Sequence, residues 1–174
     1  MSVYGAYHRD ARNRATHFVG VPIIIFAPQV AFGWMRLSIA GVTLSGAMLF
    51  VIIVHAYYFR LDIALATAMT VFSLVLLYFS EQVAQLEFVQ SFAIFLFLFI
   101  GGWILQLLGH YFEGRKPALV DNFFQIFVAP LFLMAEVFFA LGWRPTLRAT
   151  VEHLVELQMQ TRGNQPMNDG QATT

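Results

Sequence analysis

The chain has 174 residues, of which 59% are hydrophobic, 16% aromatic and only 11% charged, and its formal net charge is zero. A soluble domain is about a quarter charged and about half apolar, so this apolar content exceeds what one small core can bury, and the surplus is expected to face lipid. Zero net charge gives no general attraction to nucleic acid, and the absence of cysteine excludes disulfides, thiolate metal sites and cysteine nucleophiles.

The chain opens on a polar, basic stretch, MSVYGAYHRDARNRAT. The apolar run behind it contains Pro22 and Pro28 and lacks a small-residue cleavage site, so it reads as a first span rather than a cleavable signal. A crossing helix needs roughly 20 mainly apolar residues. Five segments qualify: about 18–34, 38–59, 62–80, 89–109 and 118–141. Pro22, Pro28 and Pro130 would kink the first and last or mark a piece that does not span. The connections between segments are short. Residues 146–160 place Leu147, Val151, Leu154 and Val155 opposite Arg148, Glu152, Glu156 and Gln160, the pattern of an amphipathic helix suited to a membrane surface. The polar tail after Arg162 is expected to be disordered. The expected fold is therefore an all-α polytopic membrane helix bundle with four to five apolar segments and a C-terminal amphipathic helix. Its parts are a membrane-embedded region (1–142), expected to hold any site, a surface helix (143–162) and a tail (163–174).

Lys and Arg near the ends of spans set orientation. Arg9, Arg12 and Arg14 precede the first segment, and Arg115 and Lys116 follow the fourth. Four crossings place both groups on one face, the cytoplasmic one. The fifth segment carries Arg144 and Arg148 outside if it spans; it returns them inside if Pro130 turns it back as a re-entrant hairpin.

The residues able to carry chemistry fall in three clusters. The first is Tyr7, His8, Asn13 and His17. His8 and His17 are nine residues apart, about half a revolution on one straight helix, so they can share a metal only if the chain breaks between them. Thr16 is a candidate N-cap for such a break. The second cluster is Trp103, Gln106, His110 and Glu113, at helical spacings that form one stripe, with Gly101, Gly102 and Gly109 leaving room for a neighbour. His110 and Glu113 can offer both ligands to one metal, or else form a helix-end histidine and a partner of Arg115. The third cluster, Asp121, Asn122 and Gln125, opens the fifth segment, where capping explains Asp121 as well as function does. Glu136 is a carboxylate in an apolar run, costly there unless it has a partner or is solvated. His55 can join the other histidines or be an ordinary interfacial residue. Four crossings bring His8, His17, His110 and Glu113 to one face. Nitrogen and oxygen donors suit zinc, iron or manganese rather than copper(I); between zinc and iron the residues alone do not decide.

At these residues the chain resembles a known family. YHRDARNRATHFVGVP fits the pattern Tyr-His, Asn, His-x-x-Gly-x-Pro, and GGWILQLLGHYFEGRKPALVDNFFQIFVAPLFLMAE fits Trp-x-x-Gln-x-x-Gly-His, Glu, Pro-Ala-Leu, Asp-Asn, Ala-Pro and a later Glu. The likeness covers roughly residues 4–142 and is to the membrane 2-hydroxy fatty acid dioxygenases of fatty acid α-oxidation, a family with yeast and bacterial members. Where some members have a second histidine after the first, this chain has Arg9. The resemblance implies an Fe(II)- and O₂-dependent enzyme that shortens a long-chain 2-hydroxy fatty acid by one carbon, with His8, His17 and His110 as expected ligands and Glu113 as a fourth ligand or a group that orients one of them. Gln106, Asn13 and Arg115 would serve the reaction beside Glu113, with Arg115 or Lys116 holding the carboxylate. The expected setting is an integral membrane protein with its site on the cytoplasmic face, in a bacterial inner membrane or, in a eukaryote, the endoplasmic reticulum. Membrane lipid, 2-hydroxy fatty acid and O₂ are its expected partners, with a homo-oligomer compatible and no nucleic acid. The alternatives are a zinc-dependent membrane lipid enzyme and a non-enzymatic channel or scaffold, in which Gln106, His110 and Glu136 would be helix glue.

Overall fold

A computed structural model describes residues 11–114 and 125–163. Within them lie helix α1 (Ala11–Gly33), strands β1 (Arg36–Ile39) and β2 (Val42–Ser45), and helices α2 (Gly46–Leu61), α3 (Ile63–Ala84), α4 (Phe88–Glu113), α5 (Gln125–Ala140) and α6 (Pro145–Gly163). Helices α1, α3 and α4 are long and apolar enough to cross a membrane, while α2 and α5 are shorter apolar helices. The large apolar side chains on the outside of the bundle fit the same setting: Phe97 is 78% exposed and Val89 77%, far from what water favours on a continuous helix face.

α1 continues through Pro22 and Pro28, and α5 through Pro130, so none of these prolines ends its helix. Thr16 does not cap a break. It lies inside α1, and its hydroxyl donates back to the Asn13 carbonyl at 2.8 Å, so any break between His8 and His17 falls before Ala11.

The segment expected as one span over 38–59 is two different structures. Residues 36–45 form an antiparallel hairpin pairing Arg36 with Ser45 and Ile39 with Val42. Ala40 and Gly41 turn it with positive φ of 51° and 81°, the backbone that a two-residue hairpin matched to strand twist requires. Ser45 then caps α2, accepting from the Met48 N–H at 3.0 Å. α2 is left with 16 residues, about 24 Å of helix. At its other end Asp62 alone separates α2 from α3; its carboxylate accepts from the Leu65 N–H and pairs with Arg144 at 2.8 Å.

α4 lies antiparallel on α1, the most extensive helix pairing in the bundle. Gly102 takes Ile23 and Ile24 of α1, Gly20 takes Leu105, and Gly109 takes Asn13, Thr16 and His17. Gly101, expected to share this role, meets nothing within 4 Å, because the next residue along a helix points about 100° away. At the opposite end of the seam, Trp34 donates to Ser91 at 2.8 Å among Phe88, Phe92 and Phe95. α2, α3 and α5 complete the bundle around a core of Tyr58, Leu65, Ala66, Met69, Leu131 and Ala135.

α5 ends where α4 ends. Glu136 lies 3.7 Å from Arg14, one turn before His17, and His17 touches His110 near the end of α4. Arg144 reaches Asp62 on the same side. α6 sets Val151 and Leu147 against the bundle and leaves Leu154 and Leu157 largely exposed.

Candidate functional site

The close seam between α1 and α4 positions the site. Gly109 has no side chain, so α1 approaches until Asn13, Thr16 and His17 occupy the space a Cβ would need. His17 and His110 are thereby brought edge to face, with ring centroids 5.0 Å apart. Both are buried, at 2% and 9% exposure, and Asn13 is fully buried beside them. Arg12 lies over the Phe112 ring at 4.8 Å, adding a cation–π contact to the same end of the seam.

The His17 Nδ1 lies 2.9 Å from the Asn13 carbonyl oxygen, which can only accept, so Nδ1 donates and the neutral ring carries its lone pair on Nε2. That is the arrangement by which a backbone carbonyl orients a histidine for metal binding. Gln106 is buried one turn before His110 on α4, and Trp103 continues the stripe along the same wall. α4 closes on Gly114, left-handed at φ 67°, whose N–H returns to the His110 and Tyr111 carbonyls.

Below the histidines lies a cavity of about 300 Å³. α1 contributes His17, Val21, Ile24, Pro28 and Phe32, spaced along one helix face; α4 contributes Phe99, Trp103, Gln106 and His110. α2 faces it with Phe50, Val54, His55 and Tyr58. The wall is apolar almost throughout, so the cavity suits a hydrocarbon chain with a polar end at the histidines.

His17, His110, Gln106 and Asn13 are thus brought together. His8, Tyr7, Arg9, Arg115, Lys116, Asp121, Asn122 and the polar tail lie outside the described residues, as do the side chains of Glu113 and Gln125. Among the described residues, no three histidines and acids stand close enough to hold one metal ion. His55 does not join the pair. Its Nδ1 donates to the Val51 carbonyl at 2.8 Å, and Nε2 is buried with no hydrogen-bond partner among the described residues. It is a polar acceptor in the cavity wall, lower down α2. Glu136 is no isolated charge in lipid, since it pairs with Arg14. Apart from His55, the α2 wall had no mark in the sequence: residues 49–54 are apolar at every position, so no periodicity separates the cavity face from the outer one.

The donor set at hand, imidazole nitrogens with one ring fixed by a backbone carbonyl, fits a borderline divalent metal such as Fe(II) or Zn(II), with further ligands required from elsewhere in the chain. Comparison with known proteins places the chain in a family. The family model described as 2-hydroxy-palmitic acid dioxygenase Mpo1-like matches residues 1–141. The 2-hydroxy-palmitic acid dioxygenase MPO1 of Saccharomyces cerevisiae is 33% identical over 161 residues, which cover 91% of this chain and 88% of the yeast protein. No solved structure matches the chain.

Proposed function

The chain belongs to the Mpo1-like family, and from that premise we propose that it is an Fe(II)- and O₂-dependent membrane oxidoreductase that shortens long-chain 2-hydroxy fatty acids by one carbon. The observation that supports this most is the buried His17–His110 pair at the head of an apolar cavity. Such a cavity can hold an acyl chain while its polar end meets the two rings.

In this reading His17, His110 and His8 are iron ligands, and Glu113 is a fourth ligand or orients one of the three. Fe(II) held there would supply the redox chemistry between O₂ and an α-hydroxy carboxylate. The remaining work falls to the chain. The Asn13 carbonyl holds the His17 ring by Nδ1, which leaves Nε2 as the nitrogen for the metal. Gln106, one turn from His110, offers an amide to the substrate hydroxyl or carboxylate. Arg115 holds the carboxylate by charge-assisted hydrogen bonds. The apolar wall excludes water and aligns the acyl chain. The reaction balances without a second organic substrate: a 2-hydroxy acid and O₂ yield the acid one carbon shorter, carbon dioxide and water, the substrate itself supplying the electrons.

We read α1, α3 and α4 as spanning helices. α2, with the hairpin before it, carries the chain back between α1 and α3 and makes the fourth crossing, whereas α5 ends on the face where α4 ends, which supports a re-entrant α5. Metal analysis tests the site. The purified protein is expected to hold iron, and the His110→Ala protein to lose it. Full iron retention in His110→Ala removes the ligand assignment, and stoichiometric zinc in place of iron favours a hydrolytic lipid enzyme.

A further inference from the structure

The cavity has a measurable depth and a closed far end. Its α1 face runs from His17 to Phe32, about 22 Å at ~1.5 Å per residue. At that depth Phe32 and Phe50 meet with ring centroids 5.1 Å apart. Just beyond them the backbones themselves close: the Gly46 N–H donates to the Met35 carbonyl at 2.8 Å, and a Cβ on Gly46 would lie 2.8 Å from the Phe32 carbonyl oxygen. No hydrocarbon chain passes between atoms that close. The hairpin at 36–45 therefore stands where a longer α2 would have stood, and its root plugs the cavity.

We propose that this cavity measures the substrate acyl chain, with Phe32 and Phe50 as the floor that sets its maximum length. The proposal rests on the dioxygenase reading for the position of the acid end at His17 and His110. An extended alkyl chain advances about 1.2 Å per bond, as extended peptide backbone does, so a depth of about 22 Å takes an acid of roughly 16 to 18 carbons. Longer chains must bend or displace the two rings. Val54 lines the wall one helical turn before the floor, on the α2 face that carries Phe50. A larger side chain there raises the floor by about 6 Å, one turn, and a smaller one at position 50 lowers it by about the width of the lost ring.

The test uses the full chain in detergent, with two readouts. The first is competition of saturated 2-hydroxy acids of increasing length against tritiated 2-hydroxypalmitate, which needs no turnover. The second is the product profile from the same acids with Fe(II) and O₂. Val54→Phe is expected to move the best-bound length down by about five carbons, and Phe50→Ala to move it up by about four. Thermal unfolding of each variant confirms that it is folded, and the opposite directions exclude a general loosening. An unchanged length preference in both folded variants overturns the proposal, as does parent protein that binds all lengths equally. Binding that follows length while no acid is shortened keeps the ruler and refutes the dioxygenase reading instead.

Discussion

The seam at Gly109 gives a sharp test, because one methyl group reports on both packing and site. In Gly109→Ala the added Cβ would lie 2.5 Å from the Asn13 side-chain oxygen and 3.0 Å from His17 Nδ1, and closer still to the Thr16 hydroxyl. Ordinary contacts need about 3.5 Å, so α1 and α4 must separate by about 1 Å here or the Asn13–His17 hydrogen bond must break. Overpacking of this kind costs about 1–3 kcal/mol. The larger effect falls on chemistry, since a displacement of about 1 Å in a reacting constellation costs on the order of 100-fold in rate. Gly102→Ala is the matched control. It sits on the same seam, about 10 Å further along α4, and its Cβ would meet Ile24 Cγ1 at 2.8 Å and Ile23 Cγ2 at 3.0 Å, β-branched atoms with little χ1 freedom, so it overpacks the seam away from the histidines. Both variants are expected to lose comparable thermal stability in detergent, while only Gly109→Ala loses bound iron and turnover. Gly109→Ala with parental iron and rate, or Gly102→Ala with an equal loss of both, refutes the claim that this contact places the histidines.

The other histidines divide in the same way: His17→Ala is expected to lose iron, and His55→Ala to keep it, both read by metal analysis of folded protein. Arg36 pairs with the nearly buried Glu81 at 2.7 Å at the far end of the bundle. Arg36→Met leaves that carboxylate without its cation and is expected to cost about 1–2 kcal/mol, the partial exposure of Arg36 keeping the loss below that of a fully buried pair. Its iron content and turnover should not change, since the pair is a bundle length away from His17. Labelling of single cysteines placed at positions 2, 115 and 143 is expected to find all three on one side of the membrane. Position 143 on the opposite side would mean that α5 spans.

How far this was legible in the sequence differs by element. The stripe Trp103, Gln106 and His110 could be read from spacing alone, and the bundle puts all three on the cavity. Meeting of the chain's beginning with the end of the fourth segment followed from counting crossings, and His17 against His110 agrees with it. The hairpin was hidden because Leu37, Ile39, Val42 and Leu44 also lengthen an apolar run, although Ala40-Gly41 between alternating Ser38 and Thr43 is a turn signal. Thr16 was misread because a threonine that caps and one that bonds back to the i−3 carbonyl look alike in sequence. Gly101 and Gly102 could not be told apart without knowing which face α1 takes. His55 has the composition of a ligand, and only its place well down α2 separates it from the pair.

The central claim is that the histidine pair and its cavity serve oxidation at the carbon next to a carboxylate, and matched substrates test it most directly. The purified protein is incubated with Fe(II), O₂ and either 2-hydroxypalmitic or palmitic acid, and the products are weighed by mass spectrometry. The account predicts a product one carbon shorter from the hydroxy acid alone. Discrimination should be on the order of 10⁴, because the unsubstituted acid lacks one arm of the chelate and leaves polar groups of the site unpaired. Iron-loaded protein that shortens neither acid contradicts the account, and equal turnover of both contradicts the chelate on which it rests.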